Sequence, residues 1–378
     1  MPPAPPPPAR GARGQSASQP ESHAGQPGAA QRAAVAERLG VSLAAVELLH
    51  GSELVDLHVD TFIWQRLFGY DLTRRHGTGP LDARFLGQAD LPRCLEAGLS
   101  GACWIITTNP LRTARGKCDA LLANLAQLKL SLGLTDSARV VSSASAYRAA
   151  RSAGRHAALI GVQGGNALEH DLADFDRPEL RDLTLVTLLH FTPSRIGAPA
   201  LPRALRLGNQ RLTAFGADYV RKLNQRRILV DLAHISREGF WDALSVHDRS
   251  QPLTVSHAAC DAVYPHFRNI DDDQLRAVAD TGGVVGIIFQ SIFLHGSRRH
   301  TSVEHVVDHV LHALRVIGDD HLAIGSDFDG AIITPRDLKT VLELPRLVDA
   351  LLRRGVNERS IQKLLGENFL RVLTALRP

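Results

Sequence analysis

The sequence predicts a (β/α)8 barrel of the TIM type behind a Pro/Ala/Gly-rich tail, and three observations predict it. Eight short apolar runs alternate with longer stretches of helical period, which is the pattern of a parallel α/β architecture. The runs are apolar at successive positions rather than at every second one, as expected of strands buried on both faces. No glycine-rich phosphate fingerprint follows the first run, so a count of eight favours a closed barrel over a doubly wound sheet.

The elements follow in order. Residues 1–35 open with Pro5-Pro6-Pro7-Pro8 and hold few bulky apolar side chains. Such a stretch buries too little surface to offset its ordering entropy, and disorder is expected. It lacks the apolar core of a secretory signal, and no run of 18 apolar residues suggests a membrane span. Residues 36–378 read as one domain. Strands are expected at Leu54–Asp60, Ser100–Thr107, Ala157–Gln163, Leu183–His190, Ile228–His234, Pro252–His257, Gly283–Phe289 and Leu322–Asp327. Helical periods fall between them at Cys118–Leu132, Leu212–Arg226, Gln274–Asp280, Val303–Ile317 and Leu338–Arg353.

Composition narrows the function classes. Apolar residues make up 44% and charged residues 22% of the 378, as in a soluble globular protein. The net charge of +4 rests on five lysines and thirty-eight scattered arginines, which gives a nucleic-acid partner little support. Cys94, Cys103, Cys118 and Cys260 show no C-x-x-C spacing and fall in apolar or helical stretches. Reduced, partly buried thiols in a cytoplasmic protein are expected.

Chemistry enters at the strand ends, where a barrel of this kind carries its active site. His58-Val59-Asp60 puts an imidazole and a carboxylate on one face of a strand, because strand side chains alternate with period two. The two together supply much of a site for a borderline cation such as zinc. Read in order, the strand ends offer His58 and Asp60, Gln163, His190, His234, His257 and Asp327. Any one of these histidines, taken alone, reads better as a hydrogen-bonded structural residue than as a ligand. Their joint occurrence at successive ends argues for a shared site. His300, His305, His309 and His312, by contrast, read as a solvated helical face. Phe62 and Trp64 fit either a pocket lining or plain packing, and Tyr264 to Phe267 reads as an active-site loop. Asp327-Phe328-Asp329-Gly330 lacks the rest of a calcium-loop pattern.

The motifs carry a resemblance. Asp56-Leu57-His58-Val59-Asp60, Gln88-Ala89-Asp90-Leu91-Pro92-Arg93 and Leu188-Leu189-His190 stand in order along the chain. Asp231-Leu232-Ala233-His234-Ile235-Ser236, Val255-Ser256-His257 and Arg268-Asn269-Ile270 follow, then Gly325-Ser326-Asp327-Phe328-Asp329-Gly330 and Gly366-Glu367-Asn368-Phe369-Leu370-Arg371-Val372. From Leu54 onward the chain resembles the membrane (renal) dipeptidase family of zinc metallopeptidases, including its soluble bacterial members. The resemblance implies a (β/α)8 fold, two zinc ions and a small dipeptide-like substrate; family members often pair as homodimers. It implies that His58 and Asp60 hold one zinc and that His234 and His257 hold the other. It further implies that His190 polarises the scissile carbonyl, that Arg268 clamps the substrate carboxylate, and that Asp327 moves the proton between water and leaving amine.

One position departs from the family pattern. The bridging ligand there is a glutamate in a Glu-Gly-Gly context, and this chain has Val162-Gln163-Gly164-Gly165. Gln163 is isosteric but neutral, and half of its amide is a donor that repels a cation. Three readings follow: a metallo-dipeptidase with a weakened dinuclear site, a catalytically impaired barrel that binds a ligand or partner, and a one-metal amidohydrolase acting on another amide or a lactone. Neither Glu169 nor His170 can be placed from sequence as a substitute ligand.

Overall fold

The computed structural model describes residues 28–77 and 82–378. Its strands are β1 (Val55–Val59), β2 (Gly101–Thr107), β3 (Ala138–Val140), β4 (His156–Gln163), β5 (Leu183–Thr187), β6 (Leu229–Asp231), β7 (Thr254–Ala258), β8 (Val284–Ile287) and β9 (Leu322–Ile324). All neighbours are parallel. The order runs β2-β1-β9-β8-β7-β6-β5-β4, and β4 pairs back onto β2 to close an eight-stranded barrel.

Each of the eight expected runs is a barrel strand. The ninth, β3, was not expected: its three residues are too short to signal a strand. It pairs with His156–Ala158 at the start of β4, below Ile160, where β5 joins. Three expected strands end about three residues early. The chain leaves the ladder before His190, His234 and Asp327, and the last two adopt φ of 65° and 62°, which no strand accommodates.

The barrel interior is filled by Val55, Leu57, Cys103, Ile105, Leu159, Leu185, Leu229, Val284 and Ala323. Tyr147 closes its N-terminal end, donating from its hydroxyl to Ser100 Oγ at 2.9 Å. The alternate residues Trp104, Ile106, Ile160, Val162 and Val230 pack outward against the helical layer. Burial on both faces explains why the runs read as continuously apolar.

The expected helices are present, with Val303–Ile317 matching its expected bounds. The stretch expected at Leu338–Arg353 is helical only from Val341, as a 3-10 turn followed by an α-helix from Leu344 with Pro345 in its first turn. A helix at Ala29–Leu39 begins before the domain start expected at residue 36, favoured by Ala29, Ala30, Ala33, Ala34 and Ala36. The boundary at 35 therefore falls inside this helix. Residues 1–27 of the expected tail lie outside the described residues. A second helix, Leu43–Gly51, is tied to Leu344–Arg353 by the Ser42 amide, which donates to Asp349 Oδ1 at 2.9 Å.

Two surface expectations need correction or confirmation. His309 is buried rather than solvated: its Nδ1 accepts from the Cys260 amide at 2.9 Å and its Nε2 meets Leu294 O at 3.1 Å. It occupies the inner side of its helix, which a list of histidines at mixed spacing concealed. His300 lies before that helix. All four cysteines are free and buried. Among the described residues no helix is long and apolar enough to cross a membrane.

Candidate active site

Two irregularities in the ladder build the rim. In β1 the register passes from Asp56 opposite Ala102 to Val59 opposite Trp104, so three steps of β1 span two of β2. The extra residue changes which face the following side chains take. Asp56 holds the bulge, accepting from the His58 amide and the Ser326 amide, both at 3.0 Å. In β7 the register likewise passes from Val255 opposite Val285 to Ala258 opposite Ile287. Consecutive residues Ser256 and His257 thereby both reach the interior side.

The expected residues converge. His58 Nε2 lies 3.4 Å from Asp60 Oδ2 and 3.8 Å from Asp327 Oδ1. The Asp327 amide donates to His58 O at 3.1 Å and the Asp60 amide to Phe328 O at 2.8 Å, which zips the ends of β1 and β9 together. His58 and His257 have ring centroids 3.9 Å apart. His234 Nε2 and His257 Nε2 are 2.8 Å apart, and Gln163 Nε2 sits 3.1 Å from the first and 3.4 Å from the second. Donor atoms of His58, His257 and Asp327 all fall within 4.8 Å of one another. His190 stands beside them, its ring 4.7 Å from that of His234. Arg268 is buried, and its guanidinium donates from Nη2 to His257 O at 3.5 Å.

Burial sets the electrostatics. It holds His234 and His257 well below the ordinary histidine value and pushes His190 down to about 3. It pulls on His58 too, but the carboxylates of Asp60, Asp327 and Asp231 outweigh it and raise that group. Burial also lifts Asp327 well above the usual carboxylate range and lowers Arg268 to about 10. The rim thus presents three imidazoles held neutral, those of His190, His234 and His257, with His58 drawn towards protonation by its acids and Asp327 a crowded carboxyl, an unusual set to bury without a charged guest.

The side chains fit a cation on one side and an anion on the other. His58 Nε2 and Asp60 Oδ1 are buried without a hydrogen-bond partner, although both are acceptors or ligands by nature. Two imidazole nitrogens at 2.8 Å, both disfavoured from protonation, are better reconciled by a shared positive charge than by each other. Arg268 Nε is likewise buried and unpartnered, a donor waiting for an acceptor. Glu169 is not a substitute ligand. Its carboxylate is taken by Lys117 and by the Arg195 amide at 2.9 Å.

Sequence reasoning missed the residues beneath these. Asp231 accepts from Ser256 and Thr187, and Asp329 accepts from the amides of Gly87, Gln88 and Ala89 at 2.8–3.1 Å and from Thr61 Oγ1 at 2.7 Å. Trp64 and Phe62 are packing residues: both are buried, and Trp64 donates its indole N–H to Asp329 O at 2.7 Å. Asp231, Asp329 and the Gln88-Ala89 pair stood in the quoted motifs, but nothing local marked them as supports.

A family model described as membrane dipeptidase, peptidase family M19, matches residues 43–377. The chain belongs to that family. Among curated relatives, an uncharacterised protein encoded in the pqqA 5′ region of Klebsiella pneumoniae is 39% identical over 165 residues, 43% of this chain and 60% of that protein. Dipeptidase tcpJ of Claviceps purpurea (strain 20.1) is 34% identical over 226 residues, 58% of this chain and 51% of that protein. The matches therefore span only about half to three-fifths of those relatives. The solved structure of dipeptidase AC, a metallopeptidase of family M19, is similar with a TM-score of 0.76 and 25% identity, covering 86% of this chain and 98% of that one. The membrane dipeptidase resemblance and the barrel it implied are both borne out.

Proposed function

We propose that this chain is a metal-dependent dipeptidase, hydrolysing dipeptides or closely related N-acyl amino acids. The observation that carries the reading is the meeting of His58, His257 and Asp327 donor atoms beside a buried Arg268 whose Nε has no hydrogen-bond partner. Zinc is the cation the imidazole and carboxylate donors suit. His58 and Asp60 would hold one ion and His234 and His257 a second, with Gln163 at the expected bridging position. When bound, such ions lower the pKa of a coordinated water to about 7 and withdraw charge from a carbonyl oxygen.

The chain's own residues do the rest. Arg268 offers its planar fork to the substrate's free carboxylate, which fixes the peptide bond in register. His190, neutral at physiological pH, donates a hydrogen bond to the scissile carbonyl oxygen and holds it as negative charge develops. Asp327 accepts the proton of the attacking water and returns it to the leaving amine, a role that suits a carboxyl whose proton affinity burial has raised. The four free thiols fit a reducing, cytoplasmic setting.

One observation favours a second reading. Gln163 turns its amide nitrogen towards both His234 and His257, as a donor would and a bridging carboxylate could not. We infer that dinuclear affinity is lower here than a glutamate would give, and the extreme case is a barrel that binds but does not turn over. The test is hydrolysis of a dipeptide panel by full-length protein with zinc supplied and then withdrawn by chelator. Zinc-dependent turnover supports the first reading. Absence of turnover at saturating zinc, with turnover gained by Gln163→Glu, transfers support to the second.

A further inference from the structure

We propose that Ser256 is a positioning residue that fixes one tautomer in His257 and, at longer reach, in His58, so that both rings present Nε2 to bound metal. The proposal rests on the metal-site reading above and deepens it.

The support begins with Asp231. Its carboxylate is fully buried and collects four donors. The amides of Ser256 and Ala233 donate to Oδ1 at 2.8 Å and 3.0 Å, and the hydroxyls of Ser256 and Thr187 donate to Oδ2 at 2.6 Å and 2.5 Å. A carboxylate only accepts, so the single hydroxyl proton of Ser256 is committed to Asp231. The Ser256 oxygen then has only lone pairs left to offer. It lies 2.8 Å from His257 Nδ1 and 3.4 Å from His58 Nδ1. Each of those nitrogens must carry the hydrogen if the contact is to be favourable. The opposite nitrogens, Nε2, are then bare, and they are the atoms that face the rim cluster.

Ordinary strand geometry would forbid this. Ser256 and His257 are sequence neighbours, and alternation would send them to opposite faces. The extra residue in β7 puts both inside. Space for the bulge comes from Gly286 on β8 and Gly325 just past the end of β9: a Cβ on either would run into the Ser256 carbonyl. His58 and His257 come from opposite members of the two expected ligand pairs, so one hydroxyl serves both ion positions. His234 provides an internal contrast, because its Nδ1 has no hydrogen-bond partner among the described residues.

The test uses full-length protein labelled with 15N-histidine, at pH 7.5, with zinc and after chelator. Long-range 1H–15N correlation reads the tautomer of each ring. In the wild type His257 is expected as Nδ1–H in both states, and Ser256→Ala is expected to give a mixture with Nε2–H. Cobalt titration of Ser256→Ala should show affinity down by about 10- to 100-fold, the range for loss of a ligand-orienting partner. Ser256→Thr, which keeps the hydroxyl, should restore both readouts. An Nε2–H form of His257 in the wild type overturns the proposal, as does a Ser256→Ala protein with unchanged tautomer and cobalt affinity. If Ser256→Ala does not fold, the wild-type spectrum alone decides. A wild type with the expected tautomer that binds no metal would sink the metallo-dipeptidase reading and leave this assignment standing.

Discussion

His234 Nε2 and His257 Nε2 face each other at 2.8 Å, with the Gln163 amide nitrogen within 3.4 Å of both. Replacing that amide by a carboxylate exchanges a donor for a charge-assisted acceptor. Gln163→Glu should therefore tighten binding of the second zinc equivalent by about 10- to 100-fold, or about 1.4–2.8 kcal/mol. Calorimetric titration and metal content per chain read this directly. Equal affinities in the two proteins would mean that Gln163 is not at the metal.

Arg268 is the natural partner for a carboxylate because its Nε is buried with nothing to bond. Arg268→Lys keeps the charge and loses the fork. We expect KM for a dipeptide to rise about tenfold or more, about 1.4 kcal/mol, with kcat changed far less. A fall in kcat at constant KM would assign Arg268 to the chemistry instead.

Acid sensitivity should come partly from histidines outside the candidate site. His156 takes a hydrogen bond from the Trp104 indole at 3.0 Å and meets Leu99 O at 2.9 Å, while His309 bridges Cys260 and Leu294. In each, one ring nitrogen faces a donor, so a second proton has nowhere to go. Burial lowers both to about 4. The unfolded chain binds these protons near pH 6.5 and the folded chain only near 4, so the unfolded form holds more protons in between. Stability is then full above pH 6.5 and falls as pH drops towards 4, by up to about 1.4 kcal/mol per unit for each group. Urea midpoints at pH 7.5 and pH 5.0 should differ in that direction. Identical midpoints would refute it.

Gly325 should tolerate no side chain. Its Cβ would strike the Ser256 carbonyl and come within 3.1 Å of Gly286 Cα. Gly325→Ala is expected to destabilise by about 2 kcal/mol or more through overpacking and to weaken metal binding with it. Gly51→Ala, at a helix end where a Cβ meets nothing within 4 Å, should be neutral or slightly stabilising. Thermal melts and cobalt titration of both variants separate the local effect from a general one.

The barrel was legible because strands buried on both faces leave an unbroken apolar signal, and all eight carry it. The rim residues were legible because chemistry-bearing side chains stand where those signals stop. What the sequence concealed depends on geometry between strands. The bulge that turns Ser256 inward beside His257 has no local signature, since an inserted residue is defined only against a neighbouring strand. Asp329 stood in a motif whose local pattern gave it no role, and its four partners lie some 240 to 270 residues away. His309 was misjudged because helix exposure depends on what packs against the helix.

All four native thiols are sealed in the interior, and burial raises each one's proton affinity: Cys118 to about 11, Cys260 to about 12, and Cys94 and Cys103 upward as well. Maleimide reagents should pass the folded wild type by. Phe191, 65% exposed with its ring 3.8 Å from that of His190, is then a ready anchor point. A Phe191→Cys protein would take a single fluorophore beside His190, and occupancy of the cleft could be followed by light without substituting any of the expected ligands.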